Sequence, residues 1–155
     1  AKELVILDKN YKNILAAKKI GAKGFNLNNR KLLMKKSFQG SFNKIFVTAT
    51  YESNIKLAIK LASVSSKIFM IGVPSPQVNF SVNALEIHRG KSFLTSTGGN
   101  ISPDKDIPNY LNYGKKGKIK YKKLIISTIN PLNTNQVIKQ MIKGNNCGGR
   151  NLIKF

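Results

Sequence analysis

Short apolar runs alternate with amphipathic stretches along the first hundred residues. Leu4 to Leu7 is fully apolar and ends at Asp8, the pattern of a buried parallel strand. Asn10 is placed to cap a following helix that carries Ile14, Ala17 and Ile20 on one face and stops at Gly21. Gly24 to Leu27 predicts a brief extended piece. The Lys-rich stretch from Asn29 to Phe38 predicts a helix with Leu33 and Met34 inward, ended by Gly40. Ile45 to Thr48 predicts the next strand. Glu52 to Val64 carries the clearest helical signal, because Ile55, Ala58, Ile59 and Ala62 recur at i, i+3, i+4 and i+7. Lys67 to Gly72 predicts another buried strand, stopped by the turn Val73-Pro74-Ser75-Pro76.

Beyond that turn the pattern changes. Asn79 to Val82 alternates weakly, Ala84 to His88 fits one helical turn, and Ser92 to Ser96 is strand-like. Gly98-Gly99 breaks the chain. Ser102-Pro103 and Asp106 offer starts for a helix reaching Lys116, with Pro108 in its first turn or at a kink. Leu124 to Ile129 predicts a strand. Pro131 and Asn133 start a last helix with Val137, Ile138, Met141 and Ile142 apolar, and Arg150 to Phe155 closes the chain as a strand. Strand and helix in alternation argue for an α/β fold: a parallel sheet with flanking helices, followed by an α+β segment. Ligands of such sheets sit beyond the carboxyl ends of the strands. Those ends carry Asp8, Thr48 to Thr50, Gly72-Val73 and Thr95 to Thr97.

Charge complicates the picture. The 155 residues hold 27 Lys and Arg against 6 Asp and Glu, a formal net charge of +21. That balance points first to a polyanion, because clustered cations release counterions from phosphate. Only Arg30, Arg89 and Arg150 are arginine, however, and Lys, Asn and Ile together make 60 of the 155 residues. AT-rich codons encode those three types, so base composition accounts for much of the charge without a nucleic-acid partner. A lysine cluster from Lys115 to Lys123, interleaved with Tyr113 and Tyr121, is the best nucleic-acid patch; a solvated loop is the plainer account of it. No apolar stretch approaches the roughly 18 residues of a membrane span. A single Cys, Cys147, and a single His, His88, build neither a disulfide nor a zinc site, which fits a reducing cytoplasm.

An acid ending a buried strand just before a capped helix is the position that accepts the adenosine ribose hydroxyls in dinucleotide folds. Asp8 fits that position and would favour NAD over NADP. An ordinary turn also places Asp at a strand end. Four passages together extend the match: Leu4-Val5-Ile6-Leu7-Asp8 with its helix to Lys18-Lys19-Ile20-Gly21-Ala22; Ile71-Gly72-Val73-Pro74; Gly98-Gly99-Asn100 leading to Asp106-Ile107-Pro108; and Gly149-Arg150-Asn151-Leu152-Ile153-Lys154-Phe155. On these passages, in this order and spacing, the whole chain resembles the C-terminal part of the medium-chain, zinc-type alcohol dehydrogenases.

The resemblance implies a partial Rossmann-type dinucleotide-binding domain at residues 1–97. Residues 98–155 would be a C-terminal return segment belonging to the catalytic domain. It implies NAD as cofactor, an alcohol or aldehyde as substrate of the parent enzyme, and homo-oligomers that make contact near Ile87 to Ser96. Asp8 would bind the ribose. Asn13 departs from the family, where a lysine often stands against the ribose. Ala49, Thr50 and Tyr51 would flank the adenosine. Ile71, Gly72 and Val73 would lie along the nicotinamide, Thr95 and Thr97 would hold its carboxamide through backbone groups, and Arg150 would reach the pyrophosphate. The first strand, its glycine-rich turn, the zinc ligands and the proton-relay hydroxyl would all precede Ala1. No catalytic or metal-binding residue is therefore expected here, and the chain alone is expected to be inactive. Two alternatives stand beside this reading: a small basic nucleic-acid-binding protein, and a zinc-independent reductase of the same superfamily.

Overall fold

A computed structural model describes residues 3–96, 98–145 and 149–155, apart from the side chain of Arg30. Contacts divide the chain into two compact units, residues 1–28 with 102–155 and residues 29–101.

The first unit opens with strand β1 (Val5–Asp8), helix α1 (Tyr11–Lys19) and strand β2 (Lys23–Asn26). Asn10 caps α1, its side chain accepting from the Lys12 N–H, and Gly21 turns the chain back at φ +91°. β1 and β2 pair in parallel, with Asp8 opposite Asn26. The helix lies close on β2 because residue 24 is glycine. A Cβ there would sit 2.8 Å from the Cγ2 of Ile14, which is buried. Intimate βαβ packing of this kind depends on the absent side chain.

The same unit holds helix α5 (Pro103–Lys115), strand β6 (Ile125–Ile129), helix α6 (Thr134–Ile142) and strand β7 (Arg150–Ile153). β6 and β7 are parallel. Pro103 occupies the first turn of α5, where a missing N–H costs nothing, while Pro108 sits inside the helix. The ring of Tyr121 lies over Gly114 and its hydroxyl donates to the Tyr110 carbonyl, which ties the end of α5 to the segment before β6. Among the described residues from 102 to 155 none is buried.

The second unit contains helix α2 (Arg30–Leu33), strand β3 (Phe42–Val47), helix α3 (Glu52–Leu61), strand β4 (Ala62–Met70), helix α4 (Ala84–His88) and strand β5 (Ser92–Thr95). The strands form one parallel sheet in the order β3-β4-β5. α3 packs on one face. Val47, Ile55, Ala58, Ala62 and Ile68 make the core there, with Ile45, Ile59, Met70, Val78 and Phe93 against it. Every second residue of β4 from Ser66 to Ile68 points inward, as the two-residue strand period requires.

Two expectations change. The helix expected from Asn29 to Phe38 is a single turn, and residues after Leu33 form turns instead. Lys31, Lys35 and Lys36 flank its apolar residues, only Leu33 finds a buried place, and Met34, expected inward, is exposed. The helix expected to reach Val64 ends at Leu61, and β4 starts at once: Ala62 takes extended angles, φ −70° and ψ 131°. The apolar period runs through Ala62, so the sequence shows no break where the backbone changes.

Candidate functional site

Parallel strands bring their carboxyl ends to one edge. In the three-stranded sheet Val47, Met70 and Thr95 are in register. The segments leaving β3, β4 and β5 therefore start side by side. The Ile71 and Gly72 N–H groups both donate to the Val47 carbonyl, at 2.9 and 3.1 Å. A Cβ on Gly72 would stand 2.3 Å from the Thr48 carbonyl oxygen and 3.4 Å from the Thr50 hydroxyl oxygen. Glycine is the residue that allows this approach. Thr50 is buried, and the Asn54 amide donates to the Ala49 carbonyl at 2.8 Å, pinning the turn into α3. Tyr51, Ile71 and Val73 are exposed along the same edge. Ala49, Thr50, Tyr51, Ile71, Gly72, Val73 and Thr95 thus share one sheet edge. Thr97 lies outside the described residues.

In the other unit Asp8 is half-buried at the end of β1. Its Oδ1 accepts from the Asn10 N–H at 2.7 Å, and its Oδ2 accepts from the Asn13 amide at 3.0 Å. Its own carbonyl accepts from Leu27 N–H, so the strand end is fixed on both sides. Asp8 makes no ion pair among the described residues. Arg150 begins β7 and is exposed, with its guanidinium 3.5 Å from the Gly149 carbonyl. His88 ends α4 on the surface, and Cys147 lies outside the described residues.

A part-buried ion pair carries no signal in the sequence. Lys91, 9% exposed, bonds to Glu86 and donates to the Ile59 carbonyl at 2.9 Å. The Lys91 hydrogen bond holds the Glu86 carboxyl below its ordinary range, against an opposing effect of burial. Residues five apart have no helical or strand signature, so no pattern announces the pair. A cleft of about 470 Å³ bordered by Lys56, Lys60, Ser81, Asn83, Glu86 and Lys91 adjoins it. It lies toward the amino end of β5 and the carboxyl end of α3, away from the edge where parallel sheets receive ligands. No group of three His, Cys, Asp or Glu that would hold a metal occurs among the described residues, and none of their helices is long and apolar enough to cross a membrane.

Parallel sheets flanked by helices, with candidate contacts at strand ends, define an α/β fold of Rossmann type. The fold is shared over the whole chain with benzyl alcohol dehydrogenase from Acinetobacter calcoaceticus, at a TM-score of 0.87 and 21% identity. An alcohol dehydrogenase from Escherichia coli, solved in complex with NADH, matches 100% of the chain at a TM-score of 0.83 and 22% identity. An alcohol dehydrogenase zinc-binding domain protein from Burkholderia ambifaria matches 93% at 0.80 and 16% identity. The chain spans 43%, 45% and 40% of these three proteins respectively, less than half of each. No family model and no curated protein matches the sequence.

Proposed function

We propose that this chain is part of an NAD-dependent alcohol dehydrogenase, residues 1–97 being most of its nucleotide-binding domain and residues 98–155 the segment returning to its catalytic domain. The observation that carries this is Asp8: a half-buried carboxylate at the end of a parallel strand, already held by two donors, in a chain with the fold of alcohol dehydrogenases. A carboxylate so held retains lone pairs for both ribose hydroxyls and repels a phosphate on either.

Ala49, Thr50 and Tyr51 would flank the adenosine. Gly72 lets the segment Ile71 to Val73 run close against the end of β3, the geometry that would admit a nicotinamide beside bare backbone. Thr95 and Thr97 would present backbone groups to the carboxamide, and Arg150 would pair with the pyrophosphate. The bound nicotinamide supplies hydride transfer. The described residues do not fit a zinc ion, having no ligand cluster, so no step of the reaction is assigned to a metal here. In the parent enzyme zinc ligands would come from elsewhere. The outer edge of β5, last in its sheet, would join a second copy in a homo-oligomer in the cytoplasm.

Calorimetric titration of the 155-residue chain with NADH tests the reading. Binding is expected, and Asp8→Asn should weaken it about tenfold, the cost of losing a charged acceptor. Alcohol-dependent NADH formation by this chain is expected to be absent. If NADH does not bind, or Asp8→Asn leaves its affinity unchanged, the assignment fails.

A further inference from the structure

We propose that Asn13 is a positioning residue: it fixes the Asp8 carboxylate and so sets discrimination between a free adenosine 2′-hydroxyl and a 2′-phosphate. The inference rests on Asp8 as ribose acceptor and deepens that reading.

A carboxylate bound at one oxygen still turns about that bond. The Asn10 N–H holds Oδ1 at 2.7 Å, a local Asx turn that leaves Oδ2 to swing. The Asn13 amide holds Oδ2 at 3.0 Å from the first turn of α1, so the carboxylate plane is fixed at two points. That turn is itself anchored, since the next residue, Ile14, is buried against Gly24. Each carboxylate oxygen then has one donor supplied by the protein and keeps a further lone pair. Two outward lone pairs at the spacing of one carboxylate match a vicinal diol.

The donor's charge matters as much as its place. Asn13 is neutral, and Asp8 has no ion-pair partner among the described residues although Lys9 and Lys12 flank it in a chain of net charge +21. The carboxylate therefore meets the ligand with no cation bonded to it among the described residues. A ribose hydroxyl donates to it; a phosphate ester at the same atom meets an anion to which no described cation is bonded.

The test compares NADH and NADPH binding by calorimetry in the 155-residue chain and in Asn13→Ala, Asn13→Asp and Asp8→Asn, with circular dichroism and urea midpoints recorded for each. The native chain is expected to prefer NADH about tenfold or more. Asn13→Ala should weaken NADH about fivefold, the worth of one hydrogen bond, with little change for NADPH, so the preference narrows. Asn13→Asp, equal in shape but a second anion beside Asp8, should weaken NADH further. Should Asn13→Ala not fold, Asn13→Asp and Asn13→Ser carry the same comparison. A NADH-to-NADPH ratio unmoved by the Asn13 substitutions while Asp8→Asn lowers NADH affinity overturns the role of Asn13 alone. Absence of NADH binding in the native chain, or insensitivity to Asp8→Asn, overturns the ribose site and this inference with it.

Discussion

Lys91 sits where three pieces of backbone meet. It reaches the Ile59 carbonyl near the end of α3 and the carboxylate of Glu86 on α4, from the residue that leads into β5. Replacing it with methionine keeps the stem but leaves the carbonyl without this donor and Glu86 with only the longer contact to Arg89, at 4.0 Å. A loss of about 1–3 kcal/mol is expected in urea unfolding, since both groups are only partly reachable by water. Glu86 also gives stability a pH dependence. Its folded-state carboxyl titrates below the ordinary value, so the folded state gains stability above that value and loses it as pH falls through the depressed one. Unfolding free energies of native and Glu86→Gln chains should therefore converge below about pH 4, the unperturbed carboxyl range, and separate above it. At Gly72 the constraint is steric. Gly72→Ala places a methyl 2.3 Å from a backbone oxygen, and the ends of β3 and β4 must part; a cost of about 1–3 kcal/mol and weaker NADH binding are expected.

At the scale of elements, most of the fold was legible, because each strand and helix carries its own period and stop. Asn10 and Gly21 bracket α1 as a cap and a left-handed turn should, and Asn83 caps α4. The failures have physical causes. α2 is one turn, since of the apolar residues in that stretch only Leu33 is buried, and α3 stops early because Ala62 serves equally on a helix face and at a strand start. Pro108 is the clearest internal conflict, a residue without an N–H inside α5. Pro108→Ala should raise helical ellipticity and stabilise the chain by about 1 kcal/mol or more, read by circular dichroism and thermal unfolding. The candidate contacts divide in the same way. Asp8 and Gly72 stood out by residue type at strand ends. The Asn13 bond to Asp8 did not, since it depends on how the first turn of a helix faces the strand before it.

For the whole molecule the dominant quantity is charge. A chain at +21 will bind any polyanion at low ionic strength, so such binding says little about function. Part of the Lys115 to Lys123 cluster is occupied internally, with the Lys118 ammonium 5.7 Å from the Tyr113 ring centre. Oligonucleotide affinity should fall steeply and near-linearly on a log–log plot between about 50 and 200 mM salt. Dinucleotide binding through one carboxylate, one guanidinium and backbone groups should change far less over that range. Equal salt slopes for the two ligands would favour the basic binding protein over the dehydrogenase.

The seam between α3 and β4, where Leu61 is helical and Ala62 already extended, has a consequence for what changes in chain length the molecule tolerates. No loop lies at the seam, though β4 is irregular just beyond it: Ala62 pairs with Phe42, the next pair is Lys67 with Lys44, and Ser65 between them takes φ +56°. The preceding carbonyls are also committed, those of Lys60 and Leu61 accepting from Gly40 and Ser41. One residue inserted after Leu61 and not taken up in that irregular stretch would shift the regular part of β4 by one place and exchange its faces, sending Ile68 outward and Lys67 into the core. The same insertion between Gln77 and Val82, where no helix or strand is present, moves nothing by half a period. A frame-preserving codon gained at the seam is thus a different event from one gained twenty residues later, although both lengthen the protein equally.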